Sequence, residues 1–133
     1  MATIFSKIVN GEIPCYKVAE NDNFLAFLDI NPLAKGHTLV IPKLEFDYIF
    51  DLPENLFSQM WLFAQKVAKA VDATIPSKRV GVAVIGLEVP HAHIHLVPIN
   101  GIYDIDFTKE KVKLTQAEFQ EIAQHIAKTY NEQ

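Results

Sequence analysis

Several ordinary ingredients are scarce in this chain of 133 residues, and each scarcity closes off a class of function. Cysteine occurs once, at Cys15, which excludes an internal disulfide and a four-cysteine metal site and suits a reducing compartment. Positive charge is thin. Twelve Lys and Arg stand against sixteen Asp and Glu, for a net charge of −4, and no basic run occurs. The electrostatic footprint of a nucleic-acid binder is therefore missing. No apolar run approaches the roughly 18 residues of a membrane span. The opening MATIFSKIVNGEIP lacks the basic, apolar and small-residue regions of a signal peptide. Repeats, low-complexity tracts and linkers rich in Pro, Gly or Ser are lacking too, so residues 1–133 read as one domain. The expectation is a cytoplasmic protein without a nucleic-acid or membrane partner, acting on a small solute or on another protein.

What is present is half apolar and alternates between two periods. NFLAFLDI (23–30) and HTLVIPK (37–43) are β-friendly runs flanking NPLAKG, whose Asn-Pro and Gly suit a turn, so the pair reads as an antiparallel hairpin with His37 opening its second strand. A long helix follows, with Asp51 as its cap, Pro53 in its first turn and Glu54 completing a capping box. Leu56, Met60, Phe63, Ala64, Val67 and Val71 then share a face, and Pro76 bars continuation. VGVAVIG (80–86) and VPHAHIHLVPI (89–99) read as adjacent strands. Thr115 and Glu118 open a second amphipathic helix carrying Phe119, Ile122, Ala123, Ile126 and Tyr130. The order predicts an α+β domain with helices packed on an antiparallel sheet.

The stretch HAHIHLVP (91–98) places three of the five histidines at alternate positions. Composition alone would give that pattern about 0.007 times per such chain. On a strand, His91, His93 and His95 share one face while Ala92, Ile94 and Leu96 face a core. Three readings compete for that stripe. Solvated histidines on an exposed face are the plainest, although such faces usually draw on Thr, Lys, Glu or Ser. A metal site is the second. The outer two Cα atoms lie roughly 13 Å apart on an extended strand, too far for all three to converge on one ion at about 2.0–2.1 Å. One His-x-His pair with His37 as the third ligand remains open. The third is phosphate chemistry. An imidazole whose one nitrogen is held protonated by a backbone carbonyl presents a lone pair on the other, and its neighbours can donate to phosphate oxygens. The central residue, His93, is then the natural nucleophile.

HAHIHLV matches the H-x-H-x-H-x-x signature, and with TIFSKIVNGEIP and NFLAFLDINPLAKGHTLVIPK the chain resembles the histidine triad (HIT) superfamily in its nucleotide-binding, Hint-like branch. That resemblance implies a HIT-like fold: a five-stranded antiparallel sheet with one long central helix and a C-terminal helix. It implies hydrolysis of purine nucleoside phosphoramidates or dinucleoside polyphosphates through a nucleotidyl-histidine intermediate. The alternative is a nucleotide-binding regulator or scaffold with little catalysis. His93 is implied as nucleophile, with His95 and His37 near the α-phosphate and His91 supporting the site through its backbone. Asp29 is implied for the ribose hydroxyls, and Phe5, Ile8, Phe27, Ile30 and Leu39 for the base pocket. A homodimer joining two sheets is implied, with no cofactor.

The chain also departs from the family pattern. Where a Gly-Gln-Ser or Gly-Gln-Thr segment usually assists the phosphate or leaving group, it has Gly86, Leu87 and Glu88. Leu87 cannot donate a hydrogen bond, and an ionised Glu88 repels phosphate. Positions that hold a structural zinc in many bacterial relatives are here Thr3, Ser6 and Glu45, so no such metal is expected. His125 is read as a surface residue.

Overall fold

Alternation along the apolar runs decides the architecture. In Phe24–Leu28 (β2), Phe24, Ala26 and Leu28 join one apolar cluster and Leu25 and Phe27 another, and all five are buried. A strand buried on both sides needs cover on both. The computed structural model of the protein describes residues 2–133. It places β2 inside a five-stranded antiparallel sheet with β1 (Lys17–Glu20), β3 (Thr38–Pro42), β4 (Arg79–Ala83) and β5 (Ile94–Ile99), in the order β1-β2-β3-β5-β4. The fold is α+β.

Two helices cover one face: α2 (Glu54–Thr74) and α3 (Gln116–Asn131). The stripe of α2 delivers Met60, Phe63, Ala64, Val67 and Val71 to the main core, where they meet Ile94 and Leu96 from β5. The α3 helix adds Phe119, Ile122, Ala123 and Ile126. Its capping box forms as the sequence predicts, since Thr115 Oγ1 accepts from Glu118 N at 3.1 Å and Glu118 Oε1 accepts from Thr115 N at 2.9 Å. His125 lies on its exposed side.

The opposite face carries a smaller cluster of Phe5, Leu25, Phe27, Leu39 and Ile41, and the helix α1 (Ile4–Val9) closes over it. Farther along that face the chain leaving β5 folds back. A Cβ built on Gly81 of β4 would stand 2.7 Å from Ile105 Cδ1 and 2.9 Å from Ile99 Cδ1, so a larger residue there would push both isoleucine side chains aside. Between α1 and residues 102–112 the sheet face forms a trough.

The β2–β3 hairpin forms as expected, with a connection that turns at Gly36. Its φ of +92° and the 2.7 Å from its virtual Cβ to Ile75 Cγ1 both require glycine. Two local expectations need correction. Asp51 does not cap α2. It ends a short 3-10 turn at Ile49–Asp51 whose Ile49 is buried, and α2 begins after an extended Pro53 with no side-chain cap. The last strand is also shorter than the sequence implies. It starts at Ile94, because His91 N bonds back to Val89 O at 2.8 Å and Ala92 N bonds across to Phe46 O at 2.6 Å, outside any ladder.

Ile94 has no exposed surface and sits on the face opposite the histidines. Replacing it with Ala should cost about 2–5 kcal/mol, read as a lowered denaturant midpoint at unchanged m-value.

Candidate functional site

The trough holds four of the five histidines, and hydrogen bonds fix each one differently. His37 opens β3 beside the connection, where its Nδ1 accepts from Leu33 N at 3.0 Å. Its proton therefore sits on Nε2, which donates to His95 Nδ1 at 3.0 Å. His95 is thereby left with its own proton on Nε2. A main-chain amide at Leu33 thus orders protons through two rings and ends in an N–H donor on His95.

His93 is set by a shorter device. Its Nδ1 donates to the carbonyl oxygen of His91 at 2.7 Å, leaving Nε2 with a free lone pair. The His93 and His95 rings lie edge to face, 4.9 Å between centroids, so a lone pair and an N–H donor stand side by side. Phe5 seats its ring 5.1 Å from His93 and 5.8 Å from His91.

His91 faces away from this chemistry. Its Nε2 donates to Pro42 O at 2.8 Å, and its Nδ1 accepts from Thr3 Oγ1 at 2.8 Å. Thr3 also caps α1 by accepting from Ser6 N at 3.0 Å, and its own N–H donates to Glu45 Oε1 at 3.1 Å. Thr3 therefore links Ser6, Glu45 and His91 in one hydrogen-bonded group. The two hydroxyls and single carboxylate form a weak donor set for zinc, which prefers thiolate and imidazole.

Burial favours the neutral form of His37, His91 and His95. It lowers His37 to about 3, with help from the nearby His95, Lys111 and His93, and lowers His95 to about 4, with His93 adding to the effect. Burial also pulls His91 down, against the bond to Pro42. Asp29 is raised by burial, partly offset by the bond its carboxylate accepts from Asn31 N at 2.9 Å. The Asp29 N–H donates to His37 O at 3.0 Å across the mouth of the hairpin, which brings Asp29 Oδ2 to 3.6 Å from His37 Nε2. With His37 uncharged, this is a contact between a carboxylate and a neutral ring.

Asp29, His37 and His95 offer ligand atoms within 4.8 Å of one another, a spacing that a metal ion could bridge. The proton order opposes one. A metal on His37 Nε2 would force the proton onto Nδ1, where it would face the Leu33 N–H donor. In the His-x-His pair only His93 Nε2 offers a lone pair, because His95 Nδ1 accepts from His37 and its Nε2 keeps the proton.

Of the residues assigned to the base pocket, Phe5, Phe27 and Leu39 are buried side by side and Ile8 packs at their edge. Ile30 stands apart, 65% exposed, on the rim of a groove between α3 and the start of β1. Leu87 is 88% exposed, while the charge of Glu88 is felt at Asp29. Four contributors were not visible in the sequence: Thr3 as partner of His91, the Leu33 amide, Phe107 and Lys111. The Phe107 ring packs 4.7 Å from His95 and 6.4 Å from His37. The last two lie in the irregular segment after β5, where no period or motif singles them out.

Residues 10–101 match the HIT domain. An uncharacterized HIT-like protein from Borreliella burgdorferi is 35% identical over 132 residues, covering 93% of this chain and 95% of that protein. An adenosine 5′-monophosphoramidase from Saccharomyces cerevisiae is 38% identical over 98 residues, 73% of this chain and 62% of the yeast protein. Among solved structures, a HIT-like protein from Bartonella henselae superposes with a TM-score of 0.83 at 31% identity, covering 96% of this chain and 95% of that one. A zinc-bound histidine triad family protein from Mycobacterium smegmatis gives 0.84 at 27% identity, with 99% and 95% covered. With the fold, the trio of histidines and the matched span in agreement, the chain belongs to the HIT domain family.

Proposed function

We propose that the protein is a nucleotidyl hydrolase that works through His93. The observation that carries this reading is the 2.7 Å bond from His93 Nδ1 to the His91 carbonyl, which leaves Nε2 unprotonated and aimed from a fixed ring. On a purine nucleoside phosphoramidate or a dinucleoside polyphosphate, Nε2 attacks the α-phosphorus. The bond from phosphorus to the leaving nitrogen or oxygen breaks, and an amine leaves with a proton taken up from water. Water then attacks the same phosphorus, the bond to His93 breaks, and the nucleoside monophosphate is released with the His93 lone pair restored. The His95 N–H donates to a non-bridging oxygen, where charge gathers in each transition state. His37 holds His95 in that tautomer, and Asp29 accepts from the ribose hydroxyls. Phe5, Ile8, Phe27 and Leu39 give an apolar seat for the base. Relatives named as adenosine 5′-monophosphoramidases support this substrate class.

One observation favours a second reading, a nucleotide-binding regulator with slow chemistry. The β4–β5 connection puts Leu87 and the acidic Glu88 where the family pattern has donors, and its residues 84–90 carry no side-chain donor for a leaving group.

We infer further that the protein pairs with a second copy of itself. β4 is a free edge of the sheet, and Val82 and Ile85 beside it are half exposed, with Leu87 following. A second copy adding its own β4 would cover that edge and join two sheets into one.

Three outcomes follow from these assignments. His93→Ala should lose at least about a thousandfold in turnover of adenosine 5′-phosphoramidate or diadenosine tetraphosphate. Intact-mass analysis of the wild-type protein during turnover should show a nucleotidyl adduct. An unchanged rate in the variant sinks the hydrolase reading, and AMP binding with no adduct favours the regulator. The second concerns pH. His37 and His95 titrate lower in the folded protein than the ordinary value near 6.5, so the unfolded chain binds more protons below that value. Their contribution to stability is full above pH 6.5 and is lost as pH falls toward about 4 for His95 and about 3 for His37. Across pH 6 to 4.5 the urea midpoint should drop, with a slope near 1 kcal/mol per pH unit for each ring. Unfolding that takes up no protons in that window contradicts the neutral assignment. Third, sedimentation should give a dimer that Val82→Lys converts to monomer.

A further inference from the structure

The site as described is short of positive charge. Burial holds His37, His91 and His95 toward their neutral forms, and two acidic side chains, Asp29 and Glu88, both oppose a phosphate. A cation here would favour a bound phosphate, and the β4–β5 connection carries no Lys or Arg. Three other lysines are paired with carboxylates: Lys17 and Lys43 with Glu20 at 2.7 and 2.8 Å, and Lys109 at 3.9 Å from Asp104.

Lys111 is different. It is half-buried, and its charge is felt at Asp29 and His37 as well as at Asp106 of its own turn. Its Nζ donates to the carbonyls of Phe107 at 2.7 Å and Lys109 at 2.8 Å, so the ammonium is held in place with one proton left over. The turn that holds it is fastened to the site at three points. Ile105 fills the space above Gly81, the Phe107 ring packs on His95, and Val112 N donates to Pro32 O at 2.9 Å in the connection that carries the Leu33 amide. A cation on such a preorganised turn spends little entropy when it meets an anion.

We propose that Lys111, presented by the turn at residues 106–111, is the phosphate-binding cation of this site, replacing the donors that Leu87 and Glu88 cannot supply. The proposal rests on the nucleotide reading above and adds to it a binding residue from a part of the chain outside the histidine motif. Its ligand class is a nucleoside carrying at least one anionic phosphate, and the interaction is a charge-assisted hydrogen bond to a non-bridging oxygen.

The test separates the phosphate from the nucleoside. Calorimetric titration of AMP and of adenosine into the wild-type protein, K111M and K111R gives the affinity gained from the phosphate alone. K111M should bind AMP about tenfold more weakly, with adenosine unchanged and a shallower dependence of AMP affinity on salt, and K111R should retain most of the AMP affinity. If K111M binds AMP as tightly as wild type, the assignment of Lys111 is overturned while the nucleotide reading stands. Equal losses for AMP and adenosine also overturn it, since they mark a structural defect. A wild-type protein that binds neither compound overturns both.

Discussion

The site depends on one carbonyl. The oxygen of His91 accepts the Nδ1 proton of His93, and without that bond the central ring has no fixed tautomer and no defined lone pair. The carbonyl stays in place because the His91 imidazole is itself pinned between Pro42 O and Thr3 Oγ1. One residue therefore does two jobs through different atoms. Its side chain ties the approach to β5 to the end of β3 and to the first turn of α1, and its main chain orients the ring two positions on. Ala92 completes the arrangement by donating its N–H to Phe46 O, which holds this bent run off the sheet ladder.

That bent run explains how the sequence both did and did not reveal the site. The spacing of His91, His93 and His95 is visible to anyone who reads the chain, and a strand would have put all three on one face. The structure keeps only His95 on the strand. His91 turns inward to the Thr3 and Pro42 bonds, and His93 reaches the trough by way of the His91 carbonyl. The motif survives because its geometry comes from hydrogen bonds between main chain and ring, which single-residue periodicity does not encode. The capping box of α3 was legible because both partners lie within four residues of each other. The start of α2 was not. Asp51 has the right identity for a cap, but burial of Ile49 and Leu52 draws the preceding residues into a 3-10 turn and takes Asp51 out of position. Short elements such as α1 and β1 carry too few residues for a period to show.

Electrostatics and packing reinforce each other in the trough. The low-dielectric surroundings that press His37 and His95 toward neutrality are made by the same rings that position them, Phe5 beside His93 and Phe107 against His95. Neutral rings are what nucleophilic attack and directional donation need, and an imidazolium at His37 would break the bond order leading to His95. Among the described residues, no helix is long and apolar enough to cross a membrane.

The bond from the Leu33 amide to His37 has one more implication. The head of this proton chain belongs to the backbone, so the side chain at position 33 can vary freely, proline excepted, without altering which nitrogen of His95 bears hydrogen. What the chemistry cannot tolerate is movement. An ångström of drift in the connection between β2 and β3 would let His37 invert its tautomer and turn the terminal donor into an acceptor. The connection is thus a mechanical dial on the electronic state of a ring two bonds away, and whatever grips Asp29 at its base also steadies the setting.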